Sequence, residues 1–202
     1  VTLLATETVV IALFAVADTI KLSSQQAVAE LIALGVTPVM LTGDNVATAL
    51  TVAKLAGISD ARGNLLPEDK LKAIEDMQKR YGATAMTGDG INDAPALAQA
   101  DIGFAMGGAG TDTAMEAADI AVMNDDLRRI PETIRLSKRT HAILWQNITL
   151  ALGIKVVFMG LALFGNATMW MAVFADMGAS LLVVFNGLRL LRSSEPSNPS
   201  LH

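Results

Sequence analysis

Eleven residues, Thr87-Gly-Asp-Gly-Ile-Asn-Asp-Ala-Pro-Ala-Leu97, hold the densest chemistry in this sequence of 202 residues. Two carboxylates, Asp89 and Asp93, and the amide of Asn92 follow directly on a short apolar run. Oxygen donors clustered in this way suit a hard cation such as Mg²⁺. The glycines around Asp89 let the backbone turn sharply and let a ligand come close. A plainer reading stands beside this one: Asp93 precedes Ala94-Pro95 and could simply cap the next helix.

Thr42-Gly43-Asp44-Asn45 forms a second turn of this kind. Its hydroxyl and backbone N–H groups could hold a phosphoryl oxygen at a helix N-terminus. Alone, four residues also fit an ordinary strand-to-helix turn. Lys70, in Leu66-Pro-Glu-Asp-Lys70, could bring a positive charge to the same phosphoryl group. Alone, it reads equally as a solvated helix lysine.

The elements that must position these groups follow from patterning. Apolar runs at residues 9–15, 36–41, 83–86, 102–105 and 120–123 read as strands. Amphipathic stretches at 23–34, 46–56 and 67–80 read as helices. Ser23 and Gln26 have the spacing of a capping box, and Gly57 supplies a helix stop. Pro67, Glu68 and Asp69 suit a helix start. Strands alternating with helices predict a parallel sheet covered on both faces, of the Rossmann-like α/β class. Ligands of such sheets sit beyond the carboxyl ends of the strands, where both Gly-Asp turns fall.

Composition shifts after residue 127. Residues 1–127 hold 17 acids and 7 bases, whereas 128–202 hold 3 acids and 8 bases. The acidic first part argues against a nucleic-acid partner. With no cysteine, the chain has no disulfide framework and no thiolate metal site. It does not begin with Met and opens on strand-like residues, so we read it as starting inside a domain. A basic collar at 130–141, Arg135-Leu-Ser-Lys-Arg-Thr-His141 included, precedes two apolar runs at 142–164 and 167–188. Each is long enough to cross a hydrocarbon core of ~30 Å. Arginines follow the second run, and no base lies in the Gly165-Asn166 turn. The positive-inside rule therefore expects residues 1–141 and the polar tail 193–202 in the cytoplasm. The tail reads as disordered. Trp145 and Trp170 fall near opposite interfaces, and His141 reads as part of the collar.

The two spans contain one charge each, Lys155 and Asp176. Both lie about ten residues from the turn, ~15 Å deep at ~1.5 Å per residue. A lone charge there costs at least ~3 kcal/mol. An opposite pair at equal depth relieves that cost, either as a structural salt bridge or as part of an ion pathway.

In their order, the Thr42-Gly43-Asp44 turn, the Pro67-to-Lys70 segment and the Thr87-to-Asp93 string resemble the P-type ATPases, whose phosphorylation domain has the haloacid-dehalogenase fold. The resemblance covers residues 9–192. It implies that residues 1–129 are the C-terminal half of that domain, with the end of the nucleotide domain at 1–8. It implies that Asp89 ligates the catalytic Mg²⁺, with Asn92 and Asp93 ordering that site and Asp93 joining the ion. Thr42 and Gly43 would hold the transferred phosphoryl, Lys70 would neutralise it, and Asp44 would belong to the same catalytic group. Asp18 matches the aspartate of a hinge motif, Asp-x-x-Arg, whose fourth place is here Lys21. The phosphorylated aspartate of this family, its nucleotide domain and its Cys-Pro-Cys span are not in this sequence. The resemblance thus implies an enzyme only as a longer chain, with ATP bound mostly outside this segment and the segment alone inactive.

Ala-Leu-Gly-Ile-Lys155 and Ala-Asp176-Met-Gly-Ala179 are similar to the last two spans of the zinc-, cadmium- and lead-exporting class. There the aspartate ligates the transported divalent ion and the lysine is its counter-charge. Partners implied are that ion, the lipid bilayer and the remainder of the pump chain, in a bacterial inner membrane. Asn147 lies too near the cytoplasmic edge to suggest the copper class. Other readings are a P-type ATPase of another cation specificity, a membrane-anchored phosphatase of the same fold, and a non-catalytic membrane-anchored Mg²⁺-binding module.

Overall fold

The computed structural model describes residues 2–6, 9–14, 19–89, 91–107, 116–165 and 168–191. The chain divides into two units, Val1–Pro131 and Glu132–His202.

In the first unit, strands β1 (Thr2–Ala5) and β2 (Val10–Phe14) pair antiparallel. Helix α1 (Leu22–Ala33) follows. Lys21 occupies its N-cap with no side-chain cap bond, so the expected Ser23–Gln26 capping box does not form. The helix starts two residues too early for Ser23 to stand outside it as its cap. Strand β3 (Val39–Leu41) leads into α2 (Val46–Ala56), whose N-cap Asn45 accepts the Thr48 N–H at 2.9 Å. Gly57 closes α2 at φ 80°, a left-handed geometry that a residue without Cβ adopts readily. Helix α3 (Pro67–Tyr81) opens where the Asp69 carboxylate accepts the Leu66 N–H at 3.1 Å. Lys79 and Arg80 sit in its last turn, at the negative end of its dipole.

Parallel pairing is present, but in two ladders. Strand β3 pairs with β4 (Asp60–Arg62), and β5 (Ala85–Gly88) pairs with β6 (Ile102–Met106), which pairs with β7 (Ile120–Val122). The sequence expectation of one parallel sheet is corrected in two respects. The first two strands form a separate antiparallel pair, and β4 is an additional strand too short and polar to betray itself. A 3₁₀ turn (Ile91–Asp93) and helix α4 (Ala94–Gln99) follow β5. Ile74, Met86, Ala96 and Leu97 form the core between α3, β5 and α4, and Leu41 packs against it. The last residue of β3 thus shares its core with Met86 of β5, which brings the two Gly-Asp turns to one end of the unit.

The second unit is carried by α5 (Arg129–Leu163) and α6 (Met169–Leu188). Collar and first span are one unbroken helix of 35 residues. Thr168 caps α6 by accepting the Met171 N–H at 3.3 Å, so this helix starts two residues later than its apolar run. Gly165 ends α5 at φ 74°, while Asn166 and the tail lie outside the described residues. Both helices are long and apolar enough to cross a membrane. Asn147, Ala151, Ile154, Phe158 and Leu161 on α5 are half-buried at helical spacing. On α6 the covered stripe is Ala175, Ala179, Val183 and Asn186. The hydrogen bond from Asn186 to Asn147 joins the two stripes, which we take as the seam between the helices.

Candidate functional site

The turn after β3 is held by its own polar groups. The Thr42 hydroxyl donates to Asp44 Oδ2 at 3.0 Å and accepts the Asp44 N–H at 3.1 Å. The loop after β4 is sewn to it: Asn64 N–H reaches the Asp44 carbonyl at 2.6 Å, and Leu65 N–H reaches that of Thr42 at 3.1 Å. A Cβ on Gly63 would lie 2.8 Å from the Asp44 carbonyl oxygen, so only glycine fits that crossing. Gly43 is exposed at the apex, and Thr42 is only partly covered. An arriving phosphoryl oxygen would take over the hydroxyl proton now given to Asp44.

The turn after β5 is built around an ion pair. Lys70 Nζ on α3 donates to Asp93 Oδ1 at 2.7 Å, with the side chains 15% and 14% exposed. Asp93 does occupy the N-cap position of α4, yet its side chain makes no cap bond. The capping alternative is thereby set aside: the carboxylate faces Lys70. Gly88 makes room for it, since a Cβ there would meet Asp93 Cβ at 2.7 Å. Lys70 is therefore not a solvated lysine but the partner of a carboxylate beside the strand end.

Asp89 differs. It is exposed just past β5 and has no hydrogen-bond or ion-pair partner among the described residues. A free, solvent-facing carboxylate is the donor that Mg²⁺ takes. Asn92 is exposed in the 3₁₀ turn that follows. Among the described residues no three His, Cys, Asp or Glu side chains converge, so Asp89 can supply one ligand of a set completed by other groups. Asp18 lies outside the described residues. Lys21 is paired with Asp125 at the surface.

Lys155 stands eight residues before the end of α5, and Asp176 seven after the start of α6. At ~1.5 Å per residue the two lie at nearly one depth. Each is exposed, and no ion pair joins them among the described residues. Rotation explains this. At ~100° per residue, each charge sits roughly 65–80° past the middle of its own seam stripe, counted along its own chain. In antiparallel helices, offsets of equal sense fall on the same side. Lys155 and Asp176 thus line one face of the hairpin rather than its seam.

Sequence reasoning missed the seam's polar contact. Asn186 Nδ2 donates to Asn147 Oδ1 at 2.8 Å and to Gln146 Oε1 at 3.3 Å. Arg189 donates to Asn186 Oδ1 at 3.0 Å. Two amides near the same membrane depth were the available signal. His141 lies on the collar helix, and its Nε2 accepts the Trp145 indole N–H at 2.9 Å.

Comparison with known proteins agrees with this geometry. Residues 3–101 match the haloacid dehalogenase-like hydrolase family. The chain is 51% identical to a probable cadmium-transporting ATPase of Listeria monocytogenes, over 90% of this chain and 26% of that protein. It is 47% identical to a zinc/cadmium/lead-transporting P-type ATPase of Escherichia coli, over 91% of this chain and 25% of that one. Among solved structures, a zinc-transporting PIB-type ATPase in an E2.Pi state superimposes with a TM-score of 0.80 at 48% identity, over 87% of this chain and 28% of that one. The chain thus spans about a quarter of the length of these relatives. With the two Gly-Asp turns, the Lys70–Asp93 pair and the charged hairpin all in place, this segment belongs to the P-type ATPases.

Proposed function

We propose that this segment serves an ATP-driven pump that exports a divalent heavy-metal ion of the zinc, cadmium and lead group across a bacterial inner membrane. In this reading ATP gives its γ-phosphoryl group to an aspartate carboxylate outside the segment, releasing ADP. Water later cleaves that acyl phosphate and frees inorganic phosphate. The Thr42 hydroxyl and the Gly43 N–H hold the phosphoryl oxygens, and Asp44 keeps the turn closed. Lys70 offsets their charge, while its bond to Asp93 keeps its ammonium at the strand end. Asp89 would hold Mg²⁺, whose charge makes the phosphoryl group easier to attack. ATP itself is bound mostly by a domain outside this segment. The collar side of the hairpin and residues 1–141 face the cytoplasm.

One observation carries the transport half of the reading: Lys155 and Asp176 share a face and a depth in otherwise apolar spans. A divalent ion in a low-dielectric site needs anionic ligands, and the Asp176 carboxylate supplies one. After the ion leaves, the bare carboxylate needs a nearby cation, and Lys155 provides it. In the full-length pump, Asp176→Ala is expected to lose metal-stimulated ATPase activity and stoichiometric zinc binding. Lys155→Ala is expected to keep measurable binding while slowing turnover. Normal zinc transport by Asp176→Ala would refute the assignment.

A further inference from the structure

The amide contact between Asn186 and Asn147 lies about 12–15 Å along the helices from the two buried-depth charges, as counted at ~1.5 Å per residue. Asn147 is half-buried in the middle of the α5 stripe, and Asn186 holds the same place on α6. Their side chains are among the few polar groups in a seam otherwise made of Ala151, Ile154, Phe158, Ala175, Ala179 and Val183. Apolar contacts of this kind are non-directional, and in lipid there is no hydrophobic force to prefer one register over another. An amide donor that must find its acceptor is directional. Asn186 satisfies both of its N–H groups, on Asn147 and Gln146, and its oxygen accepts from Arg189.

We propose that Asn186 is a positioning residue for the metal site: its bonds to Asn147 and Gln146 fix the register and rotation of α6 against α5, and thereby keep the Asp176 carboxylate on the face of the hairpin that carries Lys155. The arithmetic supports this. With Asn147 and Asn186 level, Lys155 lies eight residues below the contact on α5 and Asp176 ten below on α6. Their backbones then differ in depth by only ~3 Å. A slip of α6 by one residue moves the carboxylate by only ~1.5 Å but turns it through ~100°. That rotation carries it off the face it shares with Lys155. The contact thus matters for where the carboxylate points more than for how deep it lies. This inference rests on the reading of Asp176 as a ligand of the transported ion.

The test uses the full-length pump with Zn²⁺. Asn186→Leu, Asn147→Leu and the double variant are compared in metal-stimulated ATPase activity and in zinc binding. Partners that orient a metal ligand, when removed, typically weaken metal affinity by roughly 10–100-fold. We expect a rise of that size in the zinc concentration for half-maximal activity in each single variant, and no further rise in the double variant. Asn186→Asp should stay within about threefold of wild type, because the Asn147 amide can turn over and donate to the new carboxylate. Phosphorylation by inorganic phosphate without metal is read in parallel. It depends on the first unit and should not change, whereas a merely destabilised protein would lose both. Should a leucine variant fail this control, Asn147→Ser, which keeps the seam polar but cannot reach Asn186, takes its place. Unchanged zinc dependence in the single variants, additive effects in the double variant, or an Asn186→Asp protein as impaired as Asn186→Leu would each overturn the proposal. Asp176→Ala run alongside separates the two claims. If it keeps wild-type zinc dependence, the ligand reading itself fails. If it loses it while Asn186→Leu does not, only the positioning role fails.

Discussion

Lys70 and Asp93, 23 positions apart in the chain, meet at 2.7 Å with both side chains mostly covered. The pair joins the first turn of α3 to the turn after β5, and each charge is the other's main compensation. Removing one partner of a covered pair typically costs ~3–5 kcal/mol, because the remaining charge stays desolvated. Lys70→Met should therefore lower the melting temperature of the detergent-solubilised chain by roughly 6–20 °C, at ~2–4 °C per kcal/mol for a chain of this size. Adding Asp93→Leu to Lys70→Met should recover much of that loss. In the full-length pump both single variants should lack ATPase activity. A scanning-calorimetry series that finds Lys70→Met as stable as wild type would remove the pair's structural importance.

Gly88→Ala should reach the same site from the other side. Its Cβ would sit 2.7 Å from Asp93 Cβ and 2.8 Å from Asp93 Oδ2. Asp93 must then move, and the backbone of the 3₁₀ turn with it. Overpacking of this kind costs ~1–3 kcal/mol. We expect a moderate fall in thermal stability together with a severe fall in phosphoenzyme formation in the full-length pump. An Ala variant with normal phosphoenzyme levels would mean that the position of Asp93 is not critical.

Asp89→Asn separates ion binding from folding. Asp89 is exposed and has no protein partner among the described residues, so its replacement should leave stability within about 0.5 kcal/mol, as for other surface changes. Steady-state ATPase activity of the full-length pump should be abolished at ordinary Mg²⁺. Titration with Mg²⁺ is the measurement. Near wild-type turnover at ordinary Mg²⁺ would exclude Asp89 as a ligand.

Asp101 gives a pH dependence whose sign can be stated. Its carboxylate accepts the Thr84 N–H at 2.8 Å and the Gln78 amide at 3.2 Å, and these bonds hold its pKa below the ordinary value. A depressed carboxyl pKa adds stability above the unfolded value of ~3.9, and that stability is lost as pH falls through the folded value. The melting temperature of the wild-type chain should therefore fall as pH drops below about 4. The Asp101→Asn curve should be flatter over that range. Parallel curves would show that Asp101 does not contribute.

Where structure follows from neighbouring residues, the sequence announces it. Asn45 and Gly57 bracket α2, and Pro67 opens α3, because caps and turns are chosen within a few positions. The two apolar runs announce the hairpin for the same reason. What depends on distant partners is silent. Asp60–Arg62 becomes a strand only because Val39–Leu41 lies alongside it. The Ser23–Gln26 spacing suggests a capping box, but a start at Leu22 decides otherwise. Asp93 looks like a cap until Lys70 arrives from α3. Asn147 and Asn186 are ordinary amides until the seam places them face to face.

Strands β3 and β5 each carry a ladder on one side only among the described residues, and Leu41 and Met86 meet in one core. An edge with unmet N–H and C=O groups is a template for any extended peptide that reaches it. Each edge can accept an extended peptide, so copies of the chain that pair edge to edge along β3 or β5 would form aggregates.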